Sequence, residues 1–255
     1  MKAQTVLAIW ILVFGVAVVQ AQTGIWIGVG PAPRSGAMKD APFSANLISI
    51  NDRIDGQPGP KTEFHGKVAR DWQGDTYFAM EHMSPIADGP RPMRVTITNP
   101  SELTVTTLDP ESKTAFVSHV SAKGLATAPL LTPGASSAAP DGRPAGATAV
   151  IPPGTSTKTE SLGTKDVDGL HLVGLRTVRT AFSPATDTKP FVYTVDTWTS
   201  PELKVVVIAE TSTSNGDHHL TKLENIVRTE PSAALFQIPA GYSVRDNAPL
   251  ATNMY

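Results

Sequence analysis

Short runs of Val, Ile and Thr, bounded by Gly, Pro, Asn and Asp, dominate this chain and leave little room for helices. Such runs are typical of β-strands, whereas stretches with the 3.6-residue period of an amphipathic helix are scarce. Strands are predicted near 43–50, 61–70, 75–82, 93–98, 103–108 and 113–120, and a second set near 158–163, 170–181, 190–199, 203–213 and 217–228. The close spacing predicts a mainly antiparallel sheet or barrel.

Residues between the runs indicate specific turns. Asn215-Gly216 and Asp168-Gly169 tolerate positive φ, so both are predicted to form type I′ hairpin turns. Asp109-Pro110-Glu111 and Ser200-Pro201-Glu202 have an acceptor side chain followed by proline, which predicts type I turns. The run 205–209 is apolar at every position, so this strand is predicted to be central and covered on both sides.

The run 217–228 alternates and is therefore predicted to have one core face and one solvent face. The predicted core positions are Thr221, Leu223, Asn225 and Val227, and the predicted solvent positions are Lys222, Glu224, Ile226 and Arg228.

The N-terminus resembles a secretory signal peptide. Lys2 precedes an unbroken apolar run from Val6 to Val19, and Val19-Gln20-Ala21 offers a cleavage site after Ala21. The run is short for a membrane span, which needs roughly 20 apolar residues. We therefore expect a periplasmic or extracellular protein with no stable membrane insertion after cleavage; the alternative is an uncleaved membrane anchor.

The composition excludes several kinds of chemistry. The chain has no cysteine, so disulfides, thiolate zinc sites and cysteine nucleophiles are impossible. A formal net charge of −2 gives no reason to expect nucleic acid as a partner. An exported protein that lacks disulfides must hold its fold by burial alone.

Composition also predicts the domain organisation. Residues 122–158 hold six prolines, five glycines, nine alanines and no aromatic residue, which predicts a low-complexity, flexible insertion. We expect a signal peptide at 1–21, a flexible segment at 22–42, one β domain at 43–246 that contains the insertion, and a flexible tail at 247–255. The alternative is that the insertion links two domains.

The segments that follow the insertion resemble an uncharacterised family of exported bacterial proteins. The residues that carry this resemblance are 160–164, 168–169, 174–177, 198–203, 220–226, 231–236, 238–239 and 241–242, together with 66–71 and 108–110 earlier in the chain. The chain ends with a short Pro-led helix, a phenylalanine and then a Pro-Ala-Gly-Tyr strand. This ending is also similar to periplasmic lipoprotein carriers of the LolA and RseB type. That resemblance implies a curved antiparallel, half-barrel-like sheet whose concave face can hold acyl chains. The carriers cover that face with several helices, whereas few short helices are predicted for this chain.

No catalytic motif is present, and no catalytic, cofactor-binding or metal-binding residue is predicted. The sequence contains no Gly-x-Ser-x-Gly, no His-Glu-x-x-His and no phosphate-binding Gly-x-x-x-x-Gly-Lys loop. The remaining candidates are six histidines, His65, His82, His119, His171, His218 and His219. His218 and His219 are adjacent on a strand and should point to opposite faces, which argues against a shared metal ion. The alternative is that one of them joins His171 across the sheet. Dispersed surface histidines are the favoured interpretation.

The aromatic residues offer a second set of candidates for a ligand groove. They are Trp72, Trp198, Tyr77, Tyr193, Phe43, Phe78 and Phe191. Core packing is the favoured interpretation, because such rings commonly fill sheet cores and cross-strand pairs.

Three functions remain open at this point. The first is a non-catalytic binding protein of the bacterial envelope that holds a lipid or acyl chain, with a lipid or an envelope protein as partner and no cofactor. The second is a structural or protein-interaction module without a small ligand. The third is a metal-dependent hydrolase that uses the histidines.

Overall fold

The computed structural model describes residues 39–54, 57–81, 93–122, 156–181 and 190–247, with side chains omitted for 52–54, 57–60 and 181. The strands are β1 (Phe43–Ile54), β2 (Gln57–Arg70), β3 (Thr76–Glu81), β4 (Met93–Asn99), β5 (Thr104–Asp109), β6 (Thr114–His119), β7 (Ser156–Val167), β8 (Leu170–Ala181), β9 (Phe191–Ser200), β10 (Val205–Thr213), β11 (His218–Val227) and β12 (Ser243–Asn247). A 3-10 helix spans Ala233–Phe236. Every predicted run overlaps one of the strands β1 to β11.

All these strands belong to one curved sheet, in the order β12-β6-β5-β4-β3-β2-β1-β11-β10-β9-β8-β7. The chain thus forms two antiparallel meanders, β1–β6 and β7–β11, which are joined where β1 pairs with β11. β12 adds a parallel pair at the edge of β6. The predicted fold, a mainly β protein with a curved and mostly antiparallel sheet, is confirmed.

Three hairpin loops share one design, in which proline follows an acceptor side chain and the last loop residue has a positive φ. Those last residues are Leu103, Lys113 and Lys204, with φ of 55°, 49° and 53°. In the last two loops Asp109 Oδ1 accepts from the Glu111 amide at 3.0 Å, and Ser200 Oγ from the Leu203 amide at 3.2 Å. The acceptor side chains therefore act as the sequence predicts.

The two other predicted turns differ from each other. Asp168 and Gly169 have φ of 50° and 72°, which confirms a type I′ turn. In the second turn the φ of Gly216 is 89°, but Asn215 is not in the positive-φ region. The Gly216 amide donates to the Thr213 carbonyl at 2.9 Å, so the loop is one residue longer than predicted and only its glycine is left-handed.

The main core lies where the two meanders meet. It joins residues of β1, β2, β8, β10, β11 and the β9–β10 loop: Phe43, Ala45, Leu47, Val68, Leu170, Leu172, Leu203, Val205, Val207 and Leu223. Val206 and Ala209 form a separate buried pair, so β10 is covered on both sides, as predicted. A third cluster, Ile97, Leu108 and Ala115, packs against Phe236, Ile238 and Tyr242 of the segment before β12.

Bulges shift the alternation of two strands. Asn225 has a φ of 53° and adds an extra residue to β11 opposite β1. Thr221 and Leu223 are buried as predicted, but beyond the bulge Ile226 packs against the core and Val227 is 50% exposed, contrary to the prediction. A second register shift lies between Val206 and Ile208 of β10, and Ile208 packs against the same cluster that contains Val207.

The predicted signal peptide and the tail after Asn247 lie outside the described residues, as does most of the predicted insertion. β7 begins at Ser156, inside the C-terminal end of that insertion. In the part of the chain that is described, no helix is long and apolar enough to cross a membrane.

Candidate functional site

One row of side chains crosses the sheet and changes from buried to exposed along its length. The face that carries Ser49 is called here the front face. Strand register places five further residues in the same row: Phe64 of β2, Thr221 of β11, Ala209 of β10, Thr197 of β9 and Leu175 of β8. Ser49 and Thr221 are each 2% exposed, whereas Leu175 is 45% exposed.

The opposite face of the same strands, called here the back face, carries ion pairs. Arg176 of β8 donates to Asp196 of β9 through Nε at 2.7 Å and through Nη2 at 2.6 Å. The pKa of Arg176 is raised by this hydrogen bonding and by the charge of Asp196. Two further pairs, His218 with Glu210 and Lys222 with Glu224, lie on the same face. These ion pairs lie on one part of the back face; elsewhere on that face Leu170 and Leu172 of β8 are buried in the main core.

The buried half of the front face contains a polar chain centred on His219. Its Nδ1 lies 2.6 Å from Asn51 Oδ1, and its Nε2 lies 2.9 Å from Thr221 Oγ1. Because the Asn51 oxygen can only accept, Nδ1 carries the proton and Nε2 accepts from Thr221. Burial lowers the pKa of His219, and the charge of the nearby His218 lowers it further. Both ring nitrogens of this neutral imidazole are engaged, so it has no lone pair left for a metal ion or a substrate proton.

Two hydroxyl groups lie next to this chain. The Thr211 hydroxyl is buried and lies next to the phenol of Tyr193. Burial raises the pKa of Tyr193 to about 12, and hydrogen bonding with Thr211 acts in the opposite direction. Tyr193 is half-buried and stays protonated at physiological pH, so its hydroxyl remains available as a hydrogen-bond donor at the border of the exposed half.

The other described histidines pair with carboxylates near the surface. The pairs are His65 with Glu63 at 3.6 Å, His119 with Asp246 at 3.3 Å, His171 with Asp166 at 3.0 Å and His218 with Glu210 at 2.8 Å. His218 and His219 point to opposite faces of the sheet, as predicted. His218 bonds Glu210 on the back face, and His219 bonds Asn51 on the front face. No group of three metal-ligating side chains occurs among the described residues, and His82 lies outside them.

Most of the candidate aromatic residues pack in the core. Phe43 is 3% exposed, Phe78 and Trp198 pack against the main cluster, and Tyr77 packs against the third cluster. Trp72 is different, because it is 49% exposed in the loop between β2 and β3.

Trp198 lies on the back face over Gly174, where an added Cβ would approach its ring to 2.7 Å. The Lys165 ammonium lies 3.9 Å from the centre of the same ring. The close approach of glycine and ring fixes the end of β9, and Trp198 packs against the core as the sequence predicts.

Two further charged groups are at least partly buried. Arg70 is 3% exposed, and burial lowers its pKa to about 10. Its Nε donates to the Ala41 carbonyl at 3.0 Å, its Nη2 donates to the carbonyls of Ala41 and Leu203, and its guanidinium lies over the Phe43 ring. Arg70 therefore ties the segment before β1 to the β9–β10 loop.

Asp75, in the loop between β2 and β3, is disfavoured as an anion. Burial, and then the charges of Asp71 and Glu102, raise its pKa to about 6. One of its carboxylate oxygens is buried without a hydrogen-bond partner. Asp71 Oδ1 accepts from the Asp75 amide at 2.8 Å, so the two carboxylates are held together by the loop itself.

The exposed half of the front face is the candidate binding surface. We name it the open strip, and it consists of Val173, Leu175 and Thr177 of β8 with Tyr193, Val195 and Thr197 of β9. Val173 is 42% exposed and Leu175 is 45% exposed, side by side on one face. Isolated exposed apolar residues are ordinary, but a contiguous apolar strip is typical of a binding surface.

Sequence reasoning missed the open strip, because the run 170–181 shows only that it is a strand. The available signal was the alternation of Val173, Leu175 and Thr177 with Gly174 and Arg176. That alternation separates an apolar face from a face with a charge, but it does not say that the apolar face stays uncovered.

Comparison with solved structures finds distant similarities. MucB is 13% identical with a TM-score of 0.40, and the match covers 80% of this chain and 59% of that one. LprF from Mycobacterium bovis is 13% identical with a TM-score of 0.31, covering 75% and 89%. The lipoprotein LppX from Mycobacterium tuberculosis is 10% identical with a TM-score of 0.32, covering 74% and 88%. These structures include the carrier type that the C-terminal residues resemble, so that resemblance is confirmed.

The likeness is limited. The chain spans only 59% of the MucB chain, and at these TM-scores the similarity carries no conclusion about what the chain binds. No protein-family model matches the chain, and no curated protein matches it.

Proposed function

We propose that this chain is an exported, non-catalytic binding protein of the bacterial envelope that holds a lipid or acyl chain on the open strip. The observation that carries the proposal is the exposure of Val173 and Leu175, 42% and 45%, beside each other on the front face. Each buried methylene of a ligand would gain about 0.8 kcal/mol on such a surface.

The surroundings of the strip suit an amphipathic ligand. Thr177, Thr197 and Tyr193 carry hydroxyl groups beside these apolar side chains, and the Thr197 hydroxyl, which donates to the Leu175 carbonyl at 3.3 Å, can still accept from the polar end of a ligand. The back face of the same two strands carries the Arg176–Asp196 ion pair, which favours contact with water there. At this part of β8 and β9, the apolar side chains of the open strip therefore lie on one face and an ion pair lies on the other.

A fluorescent fatty-acid displacement titration on the mature protein tests the proposal. We expect saturable binding that Leu175→Glu weakens at least about tenfold, because the added carboxylate is costly to bury under an acyl chain. Val227→Glu is the matched control, since Val227 is 50% exposed but lies on the back face in register with Ser44. Binding by neither the wild type nor the control, with normal folding, would reject the proposal. Equal loss in both variants would show that the open strip is not the site.

The second hypothesis, a protein-interaction module, has one observation in its favour, the exposed edge strand β7, which is considered in the next subsection. The third hypothesis, a metal-dependent hydrolase, is not proposed, because His219 has both ring nitrogens engaged and the other described histidines pair with carboxylates.

Export itself is part of the proposal. Val19-Gln20-Ala21 after the apolar run supports cleavage after Ala21, which gives a mature protein that begins at Gln22. N-terminal sequencing of the protein from an envelope fraction tests this. An intact Met1 on a membrane-bound form would instead identify residues 1–21 as an anchor.

The proposed domain is a single one, spanning 43–246 with a dispensable insertion. Loop closure depends only weakly on loop length, so replacing 125–155 by a short Gly-Ser linker should leave one cooperative thermal transition. Loss of that transition would show that the insertion packs on the sheet.

A further inference from the structure

β7 forms one edge of the sheet, and no strand in the described part of the chain pairs with its outer side. Most of its residues from Ser156 to Val167 are exposed. An edge strand presents unpaired amide and carbonyl groups, which can pair with another strand. The side chains along β7 therefore decide which strand can approach.

The first part of β7 has a charge pattern that is complementary to itself. Lys158 and Glu160 flank Thr159, and both charged side chains lie on the back face, in register with Val178 and Arg176 of β8. Thr157, Thr159 and Ser161 alternate with them on the front face. A register shift between Ser161 and Gly163, where the φ of Gly163 is 78°, ends this regular segment.

Only one antiparallel register of this segment with its own copy satisfies the charges. Centring on Lys158 places two lysines opposite each other, and centring on Glu160 places two glutamates opposite each other. Centring on Thr159 places each Lys158 opposite Glu160 of the other copy, with Thr159 opposite Thr159. Opposite charges directly across an antiparallel pair stabilise it, and like charges destabilise it. A register that pairs Glu160 with Lys165 of the other copy would have to extend past the register shift between Ser161 and Gly163.

We propose that two copies of this chain associate through antiparallel pairing of β7, centred on Thr159, to form one continuous sheet. The two-fold axis is perpendicular to the sheet, so the front faces of both copies lie on the same side. The two open strips then flank the joint, separated only by the paired β7 strands. This inference does not depend on what the open strip binds.

Complementary charge variants test the register in the full mature chain, with mass measured by sedimentation over a range of concentrations. Lys158→Glu alone places two carboxylates opposite each other in each charged pair, and Glu160→Lys alone places two ammonium groups opposite each other. We expect each single variant to dimerise at least about tenfold more weakly than the wild type. An equimolar mixture of the two should form a heterodimer with wild-type affinity, because each pair of opposing residues is then of opposite sign.

A control variant separates the register from net charge. Lys67→Glu makes the same charge change at an exposed position on β2, far from the edge, and should leave dimerisation unchanged. Circular dichroism melting verifies that each variant folds, which matters for Glu160→Lys because Glu160 lies opposite Arg176. A monomeric wild type, or a mixture of folded variants that stays monomeric, would overturn the proposal.

Discussion

The front face has a buried half and an exposed half, although the strands in the two halves are similar. In the buried half, Leu47 of β1 is 1% exposed and lies in register with Leu223 of β11. In the open strip, Leu175 of β8 alternates with its neighbours in the same way yet is 45% exposed. Leucine and strand periodicity are common to both, so the difference comes from what lies across the face. On β8 the main core takes Leu170 and Leu172, which alternate with Val173 and Leu175 and lie on the other side of the strand.

The largest expected effect contrasts the two leucines directly. Leu47→Ala should lower the free energy of unfolding by about 3 kcal/mol, because it removes buried methyl groups and leaves a cavity in the main core. Leu175→Ala should change it by less than about 0.5 kcal/mol. Urea unfolding followed by circular dichroism measures both. Similar losses in the two variants would mean that the open strip is covered in solution.

Arg70 fixes the end of the buried half, so its removal should be nearly as costly. Arg70→Met should lower the free energy of unfolding by about 2 kcal/mol, because the carbonyls of Ala41 and Leu203 lose a charged donor. Arg70→Lys should recover only part of this, since one ammonium cannot reproduce the fork of the guanidinium. Full recovery by lysine would show that only the charge matters.

Substitution of Asp75, which lies outside both halves of the front face, should stabilise the protein. Its pKa is raised to about 6 in the folded state, so folding is favoured by its protonation and this contribution is lost as the pH rises through about 6. Asp75→Asn should therefore stabilise the protein at pH 7.5 by on the order of 1 kcal/mol, after allowance for solvent screening, and much less at pH 4.

Asp109 is the control for this change, because its hydrogen bond with Ser112 lowers its pKa. Asp109→Asn should destabilise the protein at pH 7.5, opposite in sign to Asp75→Asn. Urea unfolding at the two pH values measures both variants. A stabilising Asp109→Asn would contradict the electrostatic explanation.

The smallest expected effect contrasts a buried histidine of the front face with an exposed one. The pKa of His219 is lowered by burial, so its contribution to stability is lost as the pH falls below about 6.5, the ordinary range of histidine. His219→Gln should reduce the fall in stability between pH 7 and pH 5 by less than about 1 kcal/mol. His171→Gln, at the exposed position next to Asp166, should leave that slope nearly unchanged. Thermal melting across this range separates the two.

Local chemistry predicted the strands and most of the turns, and non-local packing determined the rest. Asp168-Gly169 and Ser200-Pro201 mark turns through φ preferences and acceptor side chains that act within a few residues. The bulge at Asn225 has no comparable local signal in the sequence, because an extra residue in β11 is defined only by its pairing with β1. The uncovered state of Val173 and Leu175 likewise depends on elements distant in sequence.

The pairing of β1 with β11 has a consequence for the order of folding. Each meander is held by contacts between consecutive strands, which close short loops and form early. The pairing of Ser44 with Val227 joins the first strand of one meander to the last strand of the other, and the main core lies at that seam. Loop closure over this distance must precede burial of the main core, so that core can form only after β11 has been synthesised. We therefore expect slow refolding, with the hairpins protected from hydrogen exchange before the seam.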